Sequence, residues 1–477
     1  MMLVRRFYDI KLAQASYLVG ALDTGEAVVI DANRDIDQYV RAAAEEGVRV
    51  THVTETHIHA DYLSGSRELA AETGATLLLS DEGGPGWRYA FAEESRAVLL
   101  KDGDSFDVGS VRIDVMHTPG HTPEHLTFLV TDTQAATEPL AALTGDFIFV
   151  GDVGRPDLLE RAARMAGTMD AAARTLFHSV QRFKKLPDFI QIWPGHGAGS
   201  ACGKALGAVP QTTLGYERRF NWAFKVADEQ SFVDQVLAGQ PDPPRYFAEM
   251  KRLNRTGPQR LSDVPAPPHL PAEALDRLLA TGALVIDTRS ADDFAAGHVP
   301  GTINIALNKA FTTWAGWLVP YTSDFYVIAD GVDATTLDET RKDLAMIGLD
   351  RLAGYFFWDD LVARRQDLET TAQIDVEELA TRVRAKTVHV LDVRSDAEWR
   401  EGHIAGAQHI PLGELRDRIA EVPNDRTIAV HCMGGTRSAI AASLLQAEGL
   451  PHTVNFAGGF NAWHAAGLTS GSAATAG

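Results

Sequence analysis

Short apolar runs broken by polar turns recur along the whole 477-residue chain. "SYLVG" (16–20) and "AVVIDA" (27–32) read as strands, being compact, β-branched and bounded by polar residues. Alternating strands and helices follow to about residue 255. The rhythm then breaks at "DVPAPPHLP" (263–271), whose prolines favour an extended, exposed connection. Apolar strands and helices resume beyond it. One hydrophobic core does not serve a chain of this length, and about 100–200 residues per domain suggests three.

The part after the linker contains a repeat. "VIDTRSADDFAAGHVPGTINIAL" (285–307) aligns without gaps on "VLDVRSDAEWREGHIAGAQHIPL" (390–412). "DFYVIAD" (324–330) then pairs with "RTIAVHC" (426–432), and "LAGYFFW" (352–358) resembles "FAGGFNAW" (456–463). Similarity in this order indicates a duplication of one α/β unit with a mostly parallel sheet. The expected boundaries are 1–255 for the first domain, 256–271 for the linker, 272–368 for the first copy and 373–470 for the second. The small polar tail "TSGSAATAG" is expected to be disordered.

Candidate metal ligands lie in four segments: "THIHADY" (56–62), "HTPGHT" (117–122), "LTGDFIF" (143–149) and "WPGHG" (193–197). Each follows or ends an apolar strand-like run, so all could reach one sheet edge. On these motifs the first domain resembles the metallo-β-lactamase superfamily, more narrowly its glyoxalase II and persulfide dioxygenase branch. The resemblance implies an αβ/βα sandwich. In the hydrolases of that branch, HxHxDH with later His, Asp and His residues holds two metals. The match covers His57, His59, Asp61, His121, Asp146 and His196, and fails at Tyr62, where a second metal would gain a histidine.

That failure favours one metal over two. His57, His121 and Asp146 form two imidazoles and a carboxylate, a set suited to Fe(II) and O2 chemistry. The resemblance to persulfide dioxygenases implies one Fe(II) per chain on these three residues. His59, Asp61, Tyr62 and His196 then stand around the ligands to orient them or to bond water, and the Tyr62 hydroxyl could also meet a substrate. The same resemblance places Arg155, in "GDVGRPDL" (151–158), at the entrance, facing the carboxylate or phosphate of a thiol carrier. "GHGAGSACGKALGAVPQTTLGYERRFNW" (195–222) resembles dioxygenases fused to rhodanese domains. There Cys202 could form a mixed disulfide with substrate or be a site of oxidative damage.

"HCMGGTRSAIAASLLQAEG" (431–449) carries the second chemistry. Cys432 stands at a strand end before a glycine loop and the helix "SAIAASLL". Loop amides at Gly434 and Gly435, the helix N-terminus and Arg437 would favour thiolate and hold an anion over it. Four residues separate Cys432 from Arg437, one fewer than in a phosphatase loop. CxxGxRS resembles rhodanese sulfurtransferases, in which the cysteine carries sulfane sulfur as a persulfide. The first copy has Asp330 at the matching position and no loop arginine, so it is expected to be an inactive rhodanese-homology domain.

The fold class expected is therefore α/β and multidomain: a metallo-β-lactamase sandwich followed by two rhodanese-like domains. The activity implied is oxidation of a low-molecular-weight persulfide by O2 to sulfite, coupled to sulfur transfer onto sulfite giving thiosulfate. Glutathione, coenzyme A and bacillithiol carriers all fit. Alternatives are a zinc thioester hydrolase of glyoxalase II type fused to a sulfurtransferase, and a non-catalytic persulfide sensor or delivery adaptor. The net charge of −20 argues against nucleic acid or an anionic membrane as main partner. With no apolar run of membrane-spanning length, no signal-peptide pattern and two isolated cysteines, a cytoplasmic location is expected. The inactive copy makes a homo-oligomer reasonable.

Overall fold

In the computed structural model, residues 1–161, 167–204, 206–240, 242–330, 334–468 and 470–471 are described. They form two compact units, Met1–Pro265 with Leu344–Gly348, and Ala266–Asp343 with Leu349–Gly477. Most of the C-terminal tail lies outside the described residues, although Ser470–Gly471 pairs with His403–Ile404.

The first unit is built on two six-stranded sheets. In one, the strands from Met2–Asp9 to Val98–Leu100 lie in chain order. In the other the order is Thr212–Thr213, Gln191–Pro194, Ala141–Gly145, Leu126–Asp132, Val111–His117 and Ser105–Val108. Tyr17, Val19, Val28 and Ile30 of one sheet pack on Val111, Ile113, Phe128 and Leu143 of the other, so Gln14–Ala21 is buried throughout. The outer faces are covered by helices. Asp37–Glu45 and Ser66–Thr73 bury Tyr39, Ala43 and Leu69 on one side, and Met169–Phe183 and Glu229–Leu237 bury Leu176, Val180 and Phe232 on the other. Each layer hides its apolar face against its neighbour. The result is an αβ/βα sandwich.

The second unit holds two parallel sheets of equivalent order. Ile303–Asn304, Leu284–Asp287, Phe325–Ala329 and Leu352–Phe357 form the first. Gln408–His409, Val388–Asp392, Thr427–His431 and Thr453–Phe456 form the second, with Ala372–Gln373 added at its edge. The proline-rich connection is extended, but its end is not free. Leu270 and Tyr355 exchange backbone hydrogen bonds with Tyr355 and Pro268, and His269 stacks on the Tyr355 ring at 5.2 Å.

The same brace appears in both copies. Arg394 bonds both oxygens of Asp392 and the carbonyl of Gly402, and lies over Phe460. Arg289 does the same with Asp287 and Gly297, over Trp358. All four polar side chains are buried, so these residues are structural: a pair with its hydrogen bonds complete is tolerated in a core, and a lone charge is not. Arg394→Met leaves Asp392 buried and unpaired, which is expected to cost about 3–5 kcal/mol. Amide exchange in Val388–Asp392 and Thr427–His431 should then accelerate while the sandwich strands stay protected; unchanged exchange in both strands would refute the brace.

Candidate functional site

The chemistry-bearing side chains of the sandwich sit just beyond strand ends. His57 follows Arg49–Thr54, His121 lies in the turn after Val111–His117, Asp146 follows Ala141–Gly145, and His196 follows Gln191–Pro194. The ligand atoms of His57, His121 and Asp146 lie within 4.8 Å of one another, and all three residues are buried. Asp146 Oδ2 is 3.5 Å from His121 Nε2 and 3.9 Å from His57 Nε2.

The histidine tautomers are set by neighbours. Thr56 Oγ1 donates to Asp31 Oδ2, so it accepts from His57 Nδ1 at 2.9 Å. His121 Nδ1 donates to the Arg155 carbonyl and His196 Nδ1 to the Ala13 carbonyl, each at 3.0 Å. The Nε2 lone pairs of His57 and His121 are left for the cluster. Burial drives the His57 imidazole well below its usual range and His121 down to about 3, so both are neutral. Burial also raises the Asp146 carboxyl. His57 Nε2 and both Asp146 oxygens lack hydrogen bonds. An orphaned buried polar atom costs about 1–3 kcal/mol, and a cation would satisfy all three. The residues present therefore fit a metal ion.

Several residues that hold this geometry escaped the sequence reading. Asp31 occupies a left-handed conformation (φ 58°), where its carboxylate accepts from Thr56 N at 2.6 Å and lies 3.1 Å from His59 Nε2. His125 Nε2 accepts from the Asp146 backbone N–H at 3.2 Å. Gly145 has φ 48°, and a Cβ there would lie 2.4 Å from Thr56 Oγ1. Lys251 lies over the Trp87 ring at 4.4 Å, and its charge further depresses His57 and His121. Asp31 is next to last in the run "AVVIDA" and His125 ends "HTPEH", but nothing in either run marks which side chain bonds which backbone.

The remaining predicted residues separate. His59 turns to Asp31; burial lowers its pKa, but Asp31, Glu55 and Asp61 outweigh this and raise it to about 9. The Tyr62 hydroxyl is not offered to a substrate: it donates to the Asp31 carbonyl at 3.1 Å. Arg155 is not at an entrance. It is fully buried, with Nε and Nη2 bonded to Asp157 and Nη1 to the Ala201 carbonyl, because a guanidinium enters a core only when paired. Asp61, His196 and Cys202 form a second buried cluster.

In the second rhodanese-like copy, Cys432 is buried where Thr427–His431 ends, and the Gly435 N–H donates to its Sγ at 3.1 Å. Gly435 has φ 107°, and a Cβ there would lie 2.6 Å from the Ala457 carbonyl. Helix Thr436–Ala447 starts immediately after. Arg437 departs from expectation. Its Nη1 and Nη2 each bond Glu398 at 2.6 Å, so the guanidinium clamps the loop to the preceding helix instead of facing an anion freely. Burial raises the Glu398 pKa, but the bonds from Arg437 and Ser395 outweigh this and hold it at about 2. Gly434 and Gly435 also line a cavity of about 570 Å³ with Asn304, Trp314 and Asp330 of the first copy. Residues 331–333, which follow Asp330, lie outside the described residues.

Known proteins agree with this architecture. Residues 10–196 match the metallo-beta-lactamase superfamily, and residues 270–335 and 375–466 match the rhodanese-like domain. The solved metallo-beta-lactamase of Staphylococcus aureus is 42% identical with a TM-score of 0.69, covering 75% of this chain and 99% of that one. A probable metallo-hydrolase of Burkholderia pseudomallei is 30% identical over 41% of this chain and 72% of its own length. The mitochondrial persulfide dioxygenase of Bos taurus is 30% identical over 41% of this chain and 68% of its own length. The chain belongs to the metallo-β-lactamase superfamily and carries rhodanese-like domains behind that fold. It has the His/His/Asp metal-binding site of such a fold, and no helix among the described residues is long and apolar enough to cross a membrane.

The depressed Glu398 pKa has a pH signature. Its usual value is 4.5, so the Glu398–Arg437 pair stabilises the loop fully above about pH 4.5 and progressively less as pH falls towards 2. Glu398→Gln should remove this acid limb, read as Trp399 fluorescence during acid titration. An identical titration in the variant would mean that the clamp does not hold the loop.

Proposed function

We propose that the chain oxidises a low-molecular-weight thiol persulfide and transfers sulfane sulfur to the sulfite produced. The observation that carries this is the buried cluster of two neutral imidazoles and one carboxylate, in a chain whose last domain presents a rhodanese-type cysteine loop. A single Fe(II) held by His57, His121 and Asp146 would supply the O2 chemistry. The net reaction is RSSH + O2 + H2O → RSH + SO3²⁻ + 2H⁺.

The protein's own groups define the rest. Thr56, itself held by Asp31, and the Arg155 carbonyl orient the imidazoles of His57 and His121, and burial keeps them neutral. Lys251 adds positive charge that favours an anionic persulfide. At the second site Cys432 thiolate attacks the terminal sulfur of RSSH, and its S–S bond breaks as RSH leaves with the proton. Sulfite then takes that sulfur from the Cys432 persulfide, giving thiosulfate and restoring the thiolate. The Gly435 N–H stabilises negative charge on Sγ throughout. Asp330, exposed at the position matching Cys432, offers no nucleophile for sulfane sulfur, so the first rhodanese-like copy takes no part in transfer. Coenzyme A, glutathione and bacillithiol persulfides are the candidate carriers, and the reaction class suits the cytoplasm.

A zinc thioester hydrolase is the second reading, favoured by the His196–Asp61 approach of 3.2 Å and by the similarity to a metallo-hydrolase. Oxygen uptake by iron-loaded protein on adding a persulfide separates the two, and thioester hydrolysis without uptake would replace the dioxygenase reading. Cys432→Ser should abolish thiosulfate while sulfite accumulates. His121→Ala should abolish oxygen uptake by at least about a hundredfold while transfer from thiosulfate persists. Joint loss of both activities in either folded variant would overturn the two-site scheme.

A further inference from the structure

The cavity of about 570 Å³ in the second unit has no part in either proposed reaction step. Pockets for small organic molecules hold roughly 300–1,000 Å³, so its size suits such a ligand. The Cys432 loop borders it: Gly434, Gly435 and Thr436 line the cavity, and the Gly435 N–H donates to Cys432 Sγ at 3.1 Å. The first copy contributes Asp292, Asp330 and Trp314 to the lining.

The polar groups of this lining are unevenly spent. Arg289 is its one cation among the described residues, and that guanidinium is committed to Asp287 and the Gly297 carbonyl. The exposed carboxylates of Asp292 and Asp330 therefore meet no free cation in the lining. Asn304 spends its Nδ2 on the carbonyls of Asp287 and Arg289, which leaves its oxygen as an acceptor. Asn455, which also lines the cavity, is 4% exposed. Its Nδ2 donates to Gln373 Oε1 at 3.1 Å, and its Oδ1 has no hydrogen bond. A buried acceptor in that condition calls for a donor. Two carboxylates and open acceptors favour a positively charged, donor-rich group and disfavour a phosphate, which would meet like charge.

Resting on the sulfur transfer proposed above, we infer that this cavity seats the carrier of the persulfide and selects a carrier that bears an ammonium group over a phosphorylated one. An aminothiol persulfide is matched in charge. Its sulfur end is negative and meets the Gly435 N–H and the start of helix Thr436–Ala447. Its ammonium meets Asp292, Asp330 and the Asn455 oxygen. Among the candidate carriers, glutathione and bacillithiol bear an amino group, whereas coenzyme A presents phosphates. The bonds made and broken at Cys432 are unchanged. The copy without a nucleophile thus chooses the sulfur donor for the copy that has one.

Full-length protein is assayed without oxygen, so that only Cys432 turns over, with sulfite as acceptor. The donors are glutathione persulfide, its N-acetylated derivative and coenzyme A persulfide. KM should be lowest for glutathione persulfide, about fivefold below that of its N-acetyl form. Asp292→Asn with Asp330→Asn should raise KM for glutathione persulfide to the N-acetyl value. The same variant should leave kcat, and sulfur transfer from thiosulfate to cyanide, unchanged. Equal KM values for the two glutathione donors in the unaltered protein would overturn the selection, as would a double variant that weakens both donors alike or a lower KM for coenzyme A persulfide. If no persulfide yields thiosulfate, the sulfur-transfer reading falls, and calorimetry with glutathione itself decides the cavity. Binding that the double variant loses then supports the site, and absence of binding refutes it.

Discussion

A carboxylate buried without a hydrogen bond is the constraint around which the sandwich is arranged. Asp146 is 1% exposed, and neither of its oxygens has a hydrogen bond although His196 Nε2 comes within 3.3 Å of one and His121 Nε2 within 3.5 Å of the other. Such a group is expensive to bury, and the fold spends other residues to keep it in place. Gly145 gives the strand its left-handed exit, and His125 takes the Asp146 backbone N–H. A positive ion on the carboxylate reverses the cost, because charge and hydrogen-bonding deficit are satisfied together. The four strand ends, one from the first sheet and three from the second, that deliver His57, His121, Asp146 and His196 to one edge of the sandwich make that reversal possible.

The cysteine loop solves a related problem by different means. A thiolate also needs compensation, but Cys432 obtains it from the Gly435 N–H and from the start of a helix, with no metal. Arg437 would be the obvious counter-charge. Its binding to Glu398 leaves the pair neutral, so the loop is held rigid without a strong fixed positive charge beside the sulfur. Under the proposed sulfur transfer Cys432 would gain from this moderation, since an over-stabilised thiolate is a poor nucleophile.

The α/β multidomain class, the sandwich and the rhodanese-like fold were legible because apolar runs, the gapless repeat and the HxHxD pattern are all local or periodic signals. Candidate ligands were legible for the same reason: each sits next to a strand-like run. Pairings between distant segments were not. A resemblance placed Arg155 at the entrance, yet it is buried on Asp157 and on the carbonyl of Ala201, 46 positions away. Arg437 read as an anion binder because Glu398 lies 39 positions earlier on another element. Tyr62 was read as a lost ligand, but the destination of its hydroxyl depends on Asp31, whose left-handed backbone leaves no mark in the residue string.

The duplicated domain shows how fold and chemistry can be inherited separately. Both copies keep the Asp–Arg brace, the aromatic ring over the guanidinium and the strand order, because each of these holds the sheet edge. Glu398 caps its helix from Ser395 and also binds Arg437. In the first copy Ser290 caps the helix by accepting from the Asp293 N–H and donates to the Asp293 carboxylate, and no matching loop arginine follows Asp330. The shorter Asp293 carboxylate meets only the Ser290 hydroxyl, whereas Glu398 also accepts from the Ser395 N–H and so completes a capping box. Reaching a guanidinium on the facing loop asks for one more methylene, so the Asp-for-Glu exchange at this position goes with the absence of the loop arginine.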